Sequence, residues 1–329
     1  MNKILILGAN STAGSYATYY FSMRGFAVTA TSRSKQSSPC SLPYLFKTCP
    51  NVNYFIYDLN WPVDKQVQFL TSLGPSYVLN FASQSMVAQS WNHPIDWMKT
   101  NCVGQTSLLE ALRSLDRLQR YVHFSTPEVY GSTEGWVSES HRFNPSTPYA
   151  SSRALGDMNT RLWASTYSIP TTITRAANIY SEGQHIYRII PRAFVAAMSP
   201  DRPLTVDGDG GSIRSFIHME DVCDFLLHCM SSPRIIDEYH ISSSACITIS
   251  DLISLIFRMC GASTSDTSRL NYGPDRKGKD QAYLLSPQKA LSDYGWSTKI
   301  QLSTGLSRVY EWLRTTNTTS MPLDYVHKA

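Results

Sequence analysis

Two short stretches of the 329-residue chain carry side chains that can move protons during a reaction. Tyr149 and Arg153 stand four residues apart in a segment of helical character, so both lie on one helix face. The pKa of a tyrosine is about 10, and a fixed cation beside the phenol stabilises the phenolate and lowers that pKa toward neutrality. Upstream, Thr126 offers a hydroxyl and Glu128 a carboxylate, just after an apolar run. These four residues are the predicted catalytic set.

A second candidate site is the turn between the first predicted strand, residues 3–7, and the first predicted helix, residues 13–23. In a glycine-bearing turn of this kind, backbone N–H groups at the helix N-terminus bind a pyrophosphate. Ser11 stands where a middle glycine is usual, and its hydroxyl can also donate to a phosphate. The turn predicts a dinucleotide site, although a βα turn without any ligand has the same composition. Its expected members are Gly8, Asn10, Ser11, Thr12, Ala13 and Gly14.

The end of the second predicted strand bears on which dinucleotide binds. An acidic residue there accepts a hydrogen bond from the ribose 2′-hydroxyl of NAD, whereas a basic residue accommodates the 2′-phosphate of NADP. The segment after Thr31 contains no acid and offers Ser32, Arg33 and Ser34. A guanidinium binds phosphate oxygens in a bidentate way, so we predict NADP, with NAD as the less favoured cofactor. Asp58, after the third predicted strand, meets either the adenine amino group or only solvent, as a turn residue.

Apolar runs alternate with helical segments through the first half of the chain. Strands are predicted at 3–7, 26–31, 54–57, 77–79, 121–124 and 171–175, and helices at 13–23, around 108–115, at 149–167 and at 251–260. The alternation predicts an α/β fold with a doubly wound parallel sheet of the Rossmann type. Ligands bind at the carboxyl ends of the strands in such sheets, which is where the candidate residues lie.

Frequent proline and glycine in the second half of the chain indicate a change of architecture. We predict a dinucleotide-binding domain at residues 1–178, with a return segment near 213–230. The remainder, residues 179–329, is predicted to form a smaller substrate-binding lobe over the carboxyl edge of the strands.

Composition excludes several classes of protein. The chain carries 29 basic and 25 acidic side chains, a net charge of +4, without a concentrated basic stripe, so a nucleic-acid-binding protein is not expected. The seven cysteines are odd in number, contain no C-x-x-C pair, and form no cluster with histidine at zinc-ligand spacing. No segment approaches the roughly 18 apolar residues of a membrane span. We therefore expect reduced thiols, no metal site, no membrane segment and a cytoplasmic protein.

Together, these motifs resemble those of the extended short-chain dehydrogenases/reductases, in the nucleotide-sugar epimerase/dehydratase branch. The matching stretches follow the family order across nearly the whole chain and comprise residues 8–14, 80–85, 124–131, 149–153, 175–180, 214–222 and 291–296. Within the branch, the Thr-x-Glu signature of Thr126 and Glu128 is most similar to that of the sugar-nucleotide 4,6-dehydratases. The segment 84–90 and the basic loop around Arg33 resemble the NADP-dependent GDP-mannose type.

The resemblance implies further contacts and an activity. Cofactor contacts are implied for Tyr149, Arg153, Leu59, Phe81, Ala82, Ser83 and Ile179, and substrate contacts for Gln84, Ser85, Asn178, Arg188, Val206, Arg214 and Arg276. The implied substrate is a nucleotide sugar, with a GDP-sugar favoured, and the implied product is its 4-keto-6-deoxy derivative. In relatives, helices near 100–118 and 150–167 pair between subunits, so a homodimer or a higher homo-oligomer is expected.

Two positions depart from the family pattern. Arg153 replaces the active-site lysine, which keeps the charge but brings a planar and bulkier group. Pro127 stands where some dehydratases carry an aspartate that protonates the leaving hydroxyl, so Glu128 must act as both base and acid, or a water must help. The alternatives left open are an epimerase or decarboxylase of the same family, and an NADP-binding relative without catalysis.

Overall fold

The computed structural model describes residues 2–266, 268–275, 277–317 and 321–327, so Arg276, a predicted substrate contact, lies outside the described residues. The helices are α1 (Thr12–Met23), α2 (Pro43–Phe46), α3 (Val63–Leu73), α4 (Pro94–Met98), α5 (Gln105–Leu112), α6 (Pro148–Tyr167), α7 (Ile189–Met198), α8 (Met219–Cys229), α9 (Ile249–Met259), α10 (Gln288–Tyr294) and α11 (Leu302–Thr315). The strands are β1 (Lys3–Leu7), β2 (Ala27–Ser32), β3 (Val52–Ile56), β4 (Tyr77–Asn80), β5 (Arg120–Ser125), β6 (Trp136–Val137), β7 (Thr171–Ala176), β8 (Asn178–Tyr180), β9 (Leu204–Asp207), β10 (Ile213–Arg214), β11 (Phe216–His218), β12 (Ile236–Ile241), β13 (Ile247–Thr248), β14 (Leu270–Gly273) and β15 (Leu284–Leu285).

Seven strands form one parallel sheet in the order β12-β7-β5-β4-β1-β2-β3. The chain winds outward in both directions from β1, which confirms the predicted doubly wound α/β fold. β1 is buried on both faces because successive side chains point to opposite sides of a strand. Ile4 and Ile6 pack in the core under α1 and α8, whereas Leu5 and Leu7 pack in the core under α3 and α5.

The chain returns to this sheet over a longer stretch than the predicted segment near 213–230. β12 pairs with β7 as a parallel edge strand, with Ile236 opposite Thr171. A parallel neighbour requires a crossover connection, and α8 lies in that connection and packs against α1. Trp296, which follows α10, is buried in the same core. The sheet and its helical cover therefore draw on residues well beyond 230.

The second lobe has an apolar core of its own. Helices α7, α9 and α11 contribute Phe194, Ile256 and Leu306, and the parallel pair of β9 and β14 closes the cluster with Leu204 and Leu270. All five side chains are buried. This core fixes α7, whose N-cap is the candidate substrate residue Arg188.

Among the described residues, no helix has both the length and the apolar character needed to cross a membrane. The seven cysteines are free thiols, and Cys223 and Cys229 are buried in the core under α1 and α8.

Candidate active site

A cleft of about 640 Å³ opens at the carboxyl ends of the sheet strands. Its sheet half, as we call it, is formed by Ser11, Thr12, Ala13, Phe81, Ser83, Thr126, Glu128, Tyr149 and Arg153. Its lobe half is formed by Asn178, Ile179, His185, Tyr187, Arg188, Arg192, Val206, Arg214, Lys279, Leu323 and Asp324. The structure thus brings the four predicted catalytic residues together in one cleft, beside the point where the strand order reverses.

The start of α6 places the first pair of these residues. Thr147 is the N-cap, and its hydroxyl accepts a hydrogen bond from the backbone N–H of Ala150 at 3.1 Å. Pro148 occupies the first helical position, where no hydrogen bond from its nitrogen is needed. Tyr149 and Arg153 therefore lie one turn apart on the buried face of the first two turns, with 8% and 4% of their surface exposed.

The end of β5 places the second pair. Thr126 caps a short turn at Pro127–Tyr130, and its hydroxyl accepts from the backbone N–H of Glu128 at 3.4 Å. Pro127 is the first residue of this turn, so its missing N–H removes no hydrogen bond. The proline is compatible with the local backbone, but it offers no proton donor to the cleft.

The surroundings of Tyr149 act on its phenol in opposite directions. Burial raises the pKa of Tyr149 above its ordinary value, and the carboxylate of Glu128 raises it further. Arg153, a hydrogen bond with Thr126, and Arg188 each lower the same pKa. The protein alone therefore leaves the phenol protonated, and any further cation in the cleft will favour the phenolate.

The guanidinium of Arg153, beside Tyr149, keeps an N–H donor that no described residue accepts. One of its terminal nitrogens donates to the backbone carbonyl of Phe124. Its Nε–H is buried and meets no acceptor among the described residues. A buried donor without a partner is costly, so this atom fits a ligand with hydroxyl or phosphate oxygens. The same residue can hold a ribose hydroxyl of a dinucleotide.

The turn after β1 is so closely packed that Gly8 and Gly14 have no room for a side chain. Gly8 has φ of +88°, and a Cβ there would lie 2.8 Å from the backbone nitrogen of Ala82. A Cβ at Gly14 would lie 2.3 Å from the carbonyl oxygen of Gly8. Ser11 caps α1 by accepting from the Gly14 N–H at 3.0 Å while donating to the Gly8 carbonyl at 2.7 Å. Its hydroxyl proton is therefore engaged inside the turn, in contrast to the phosphate donor expected from the sequence, although Ser11 does line the cleft.

Asn10 connects this turn to the basic loop after β2. Its backbone N–H donates to the hydroxyl of Ser32 at 2.9 Å, and its side-chain amide donates to Ser34 at 3.3 Å and to the Lys35 carbonyl at 2.9 Å. The predicted 2′-phosphate segment with Arg33 is thereby held beside the pyrophosphate turn. Asn10, Ser32, Arg33 and Ser34 stand next to the cleft and are not among the residues that line it.

Several other predicted cofactor residues have structural roles that are visible in the fold. Asp58 accepts from the backbone N–H of Asn60 at 2.9 Å, which is the behaviour of a turn aspartate. Leu59 is buried in the core under α3 and α5. The backbone N–H of Ala82 donates to Asn80 at 3.0 Å, and Ala82 shapes the turn beneath Gly8. Of the residues after β4, Phe81 and Ser83 line the cleft.

Predicted substrate residues meet across the two halves. Arg188 donates to the hydroxyl of Ser85 at 3.2 Å, and both line the cleft. Gln84 is buried behind them, 4% exposed, with its backbone carbonyl accepting from Asn101 at 2.9 Å. Asn178 accepts from the hydroxyl of Tyr283 at 3.2 Å.

Arg214 is the most constrained of the predicted substrate residues. It is 5% exposed, lies 4.2 Å over the ring of Tyr283, and donates to the carbonyls of Ile213, Asp280 and Gln281. A guanidinium has five N–H donors, so these three bonds leave two for a ligand. The three backbone carbonyls therefore set the orientation of the Arg214 guanidinium.

Sequence reasoning missed several residues of the lobe half. Arg192 follows Arg188 by one helical turn, a spacing that places both cations on one side of α7 and could have been noticed. Lys279 comes from the charged stretch 275–280 and donates to the Asp207 carbonyl at 2.9 Å. His185 lines the cleft as well, and its ring stacks on Tyr187 at 5.1 Å. No sequence pattern distinguishes His185 from the other seven histidines.

A buried charge cluster supports α6 from below. Asp157, one turn beyond Arg153, pairs with Arg175 on β7 at 2.9 Å, and Arg175 also pairs with Glu238 on β12 at 3.1 Å. Burial raises the pKa of Asp157, but the charge of Arg175 and the hydrogen bond with His123 outweigh burial and hold the pKa at about 2. His123 is 2% exposed and packed in this core.

The model of the family described as GDP-mannose 4,6 dehydratase matches residues 5–309. A dTDP-glucose 4,6-dehydratase from Streptomyces niveus is 32% identical over 242 residues, which cover 73% of this chain and 70% of that protein.

Two solved structures of related enzymes have the same fold as this chain. The crystal structure of a dTDP-glucose 4,6-dehydratase from Streptomyces venezuelae with NAD bound superposes with a TM-score of 0.86 at 26% identity, covering 95% of this chain and 97% of that one. The structure of a UDP-glucuronic acid 4-epimerase from Bacillus cereus, with UDP-glucuronic acid and NAD, has a TM-score of 0.84 at 22% identity over 95% and 99% of the two chains. At that identity, the epimerase supports the fold alone.

Proposed function

The chain belongs to the GDP-mannose 4,6-dehydratase family, among the extended short-chain dehydrogenases/reductases, and from this membership we propose that it dehydrates a nucleotide sugar to the 4-keto-6-deoxy derivative. The observation that carries the proposal is the presence of Glu128 in the same cleft as Tyr149 and Arg153. Oxidation and reduction at C4 alone, as in a 4-epimerase, need no base at C5. A carboxylate beside the Tyr/Arg pair therefore favours dehydration.

The chemistry begins at the C4 hydroxyl of the sugar. A bound nicotinamide dinucleotide supplies a hydride acceptor for C4 and later returns that hydride to C6. Tyr149 takes the hydroxyl proton, and Thr126 holds the oxygen. The positive charges of Arg153 and Arg188 stabilise the resulting phenolate. Once C4 is a ketone, the C5 proton is acidic, and Glu128 removes it. General acid–base catalysis of this kind contributes roughly 10²–10⁴-fold per step.

Loss of the C6 hydroxyl as water requires a proton, and Pro127 supplies none. We assign this proton to His185, which lines the same cleft and whose ring is fixed by stacking on Tyr187. Imidazole is a common general acid and base in enzymes, so His185 is suited to donate this proton. The proton on Glu128 exchanges with solvent before Glu128 protonates C5, at the step in which C6 is reduced. The proton that Tyr149 took from the C4 hydroxyl passes to solvent, and solvent restores the proton of His185, so the proton balance closes.

For the cofactor, we propose NADP in preference to NAD. Among the described residues at the end of β2, Ser32, Arg33 and Ser34 offer donors and a cation, with no carboxylate to accept from a 2′-hydroxyl. The unpartnered Nε–H of Arg153 and the glycine turn fit a dinucleotide of either kind. The crystallised dTDP-glucose 4,6-dehydratase contains NAD, which has a ribose 2′-hydroxyl where NADP has a phosphate. The groups that this chain places around that ribose position therefore distinguish the two cofactors.

We propose further that cofactor contacts come from residues 1–178 together with Ile179. Substrate contacts come from Asn178, at the domain boundary, and from Arg188, Val206 and Arg214 of the second lobe. Two further cations that line the cleft, Arg192 and Lys279, add charge for a diphosphate. A GDP-sugar is the first substrate to test. Free, partly buried thiols suit a reducing compartment, and we place the protein in the cytoplasm.

We propose a homodimer built on α5 and α6. The outer face of α6 exposes Leu155, Met158 and Leu162, with 39%, 57% and 57% of their surface accessible. Val103, in the turn before α5 that packs against α6, is 62% exposed. A row of large apolar side chains on one helix face is typical of an interface rather than of a solvent face. Sedimentation of the wild type and of the Met158→Asp variant tests this directly, with a monomer expected for the variant.

The function is tested by incubating the protein and NADP with GDP-mannose, dTDP-glucose, UDP-glucose and CDP-glucose. Mass spectrometry should detect a product that has lost one water from at least one of these compounds. In deuterium oxide, the product should carry one solvent deuterium at C5. A product of unchanged mass with inverted C4 would instead identify an epimerase, and binding of NADP without any turnover would identify a non-catalytic relative.

A further inference from the structure

The C-terminal segment Met321–His327 runs from the core of the second lobe to Asp96 on α4 and lines the cleft through Leu323 and Asp324. No motif of the sequence points to it. We propose that this segment, called the strap here, is the outer wall of the nucleotide-sugar site and must release its far end before a ligand can enter or leave. The inference rests on the proposed function, because it names the substrate of that same cleft.

The near end of the strap is built into the second lobe. Met321 is 6% exposed and packs in the core formed by α7, α9 and α11, and Leu323 packs against the same core. The backbone carbonyl of Leu323 accepts from Arg192 at 3.0 Å. Arg192 also donates to the Pro203 carbonyl at 3.0 Å, so it ties the strap to the segment before β9. This end is anchored by apolar burial and by a cleft residue.

The middle of the strap meets the site itself. Leu323 and Asp324 line the cleft. Tyr325 packs edge-on against Tyr187 at 5.6 Å, and Tyr187 carries the stacked ring of His185. The hydroxyl of Tyr325 donates to the side-chain oxygen of Gln84 at 3.3 Å. The strap therefore contacts residues of the lobe half on one side and a buried residue behind the sheet half on the other.

The far end is fastened to the nucleotide-binding domain by His327. Its Nε2 lies 2.7 Å from a carboxylate oxygen of Asp96 on α4. Its ring stacks on His93 at 4.3 Å and on the fully buried Trp97 at 5.1 Å. An ion pair and a ring stack near the surface are individually weak, so this fastening can open without unfolding either lobe.

His93, Asp96 and His327 are also close enough to one another to hold a metal ion. The two imidazole planes are inclined by only 13° and face each other. The lone pairs of an imidazole lie in the ring plane, so two stacked rings cannot direct them at one ion without turning away from each other. The arrangement fits a stacked ion pair, and this is how we interpret it.

The proposal is tested by weakening the far end while leaving the cleft residues intact. Asp96→Asn removes the charge that faces His327, and Asp224→Asn is the matched control, since it breaks an ion pair with Lys299 at 2.9 Å on the outer face of α8. We expect Asp96→Asn to raise the KM for the nucleotide sugar that the wild type converts by about tenfold, with kcat within about twofold. Asp224→Asn should leave both constants unchanged.

A second measurement follows the strap directly by hydrogen exchange. Amides of residues 321–327 should exchange about tenfold faster in Asp96→Asn than in the wild type, and UDP, dTDP or GDP should slow their exchange in the wild type. Faster exchange with an unchanged KM would overturn the strap as a wall of the site. Slower exchange on adding zinc, reversed by a chelator, would overturn the ion-pair fastening.

The exchange measurement needs no turnover, so it separates this proposal from the proposed function. Nucleoside diphosphates that protect the strap in a protein that converts none of the four sugar nucleotides would support the strap and refute the enzyme. Turnover with a strap that exchanges freely in the wild type, with and without nucleotide, would do the reverse.

Discussion

The two halves of the cleft are stabilised in different ways. Beneath the sheet half, Asp157 and Arg175 form a buried ion pair in which both side chains are at most 1% exposed. The lobe half also includes contacts at the surface, such as the ion pair of Lys279 with Asp275, in which the Asp275 side chain is 54% exposed. Positions that perform chemistry need a rigid support, whereas positions that admit a ligand need to move. The cleft thus combines a fixed catalytic side with an adjustable binding side.

The largest effects are expected at the two residues that transfer protons during dehydration, Glu128 in the sheet half and His185 in the lobe half. Glu128→Gln and His185→Gln should each lower kcat for dehydration by roughly 10²–10⁴-fold, because one removes the base and the other the acid. In both variants the C4 hydroxyl can still be oxidised, so reduced cofactor should be detectable by its absorbance when the variant is mixed with substrate.

Deuterium oxide distinguishes the two roles. With His185→Gln, the substrate recovered should carry deuterium at C5, since Glu128 still removes that proton, while no water is lost. With Glu128→Gln, no deuterium should enter. His228→Gln, on α8 and outside the cleft, is the matched control and should behave as the wild type. Normal dehydration by His185→Gln would leave Glu128 as both base and acid.

A smaller effect is expected at the cofactor end of the sheet half. Arg33→Ala should weaken NADP binding by about 10–100-fold, which corresponds to one or two charge-assisted hydrogen bonds, and should leave NAD binding nearly unchanged. Fluorescence titration with NADPH and NADH measures both, and Arg117→Ala, at an exposed arginine outside the cleft, is the control. Equal weakening of the two cofactors would refute the 2′-phosphate contact.

The buried support makes the sheet half sensitive to acid. The pKa of Asp157 in the folded protein is about 2, below its ordinary value of 3.8, so its contribution to stability is present above about pH 4 and is lost as pH falls toward 2. The free energy of unfolding should fall by about 2 kcal/mol over this range through Asp157. Urea unfolding of wild type and Asp157→Asn checks this, since the variant should lack that part of the pH dependence.

The contrast between the halves also explains what the sequence could predict. Ser11, Thr126 and Tyr149 sit at strand ends and helix starts, where a few adjacent residues determine their position, and the structure brings these predicted residues to one cleft. Asp58 and Leu59 come from the same kind of motif, but their side chains serve a turn and a core.

The residues that sequence reasoning missed are brought to the cleft by contacts between distant parts of the chain. His185 faces the cleft because its ring stacks on Tyr187, and Tyr325 reaches Gln84 across 241 positions. No local pattern encodes such a contact, since it depends on the packing of the second lobe against the sheet. The return of the chain to the sheet through β12 could not be predicted from local sequence for the same reason, because β12 pairs with the distant strand β7.

The smallest effect, and the sharpest test of the division, concerns Arg188, which belongs to the lobe half but acts on the sheet half. It donates to Ser85 and lowers the pKa of Tyr149. Arg188→Ala should raise KM by less than about tenfold, because Arg192 and Lys279 share the substrate's charge. It should also raise the pKa of Tyr149, and since the phenolate is the active form, the rising limb of kcat against pH should move to higher pH. Arg192→Ala should raise KM and leave the pH dependence of kcat unchanged. A shifted pH limb of kcat in Arg192→Ala, or an unshifted limb in Arg188→Ala, would show that the two halves do not divide binding from chemistry in this way.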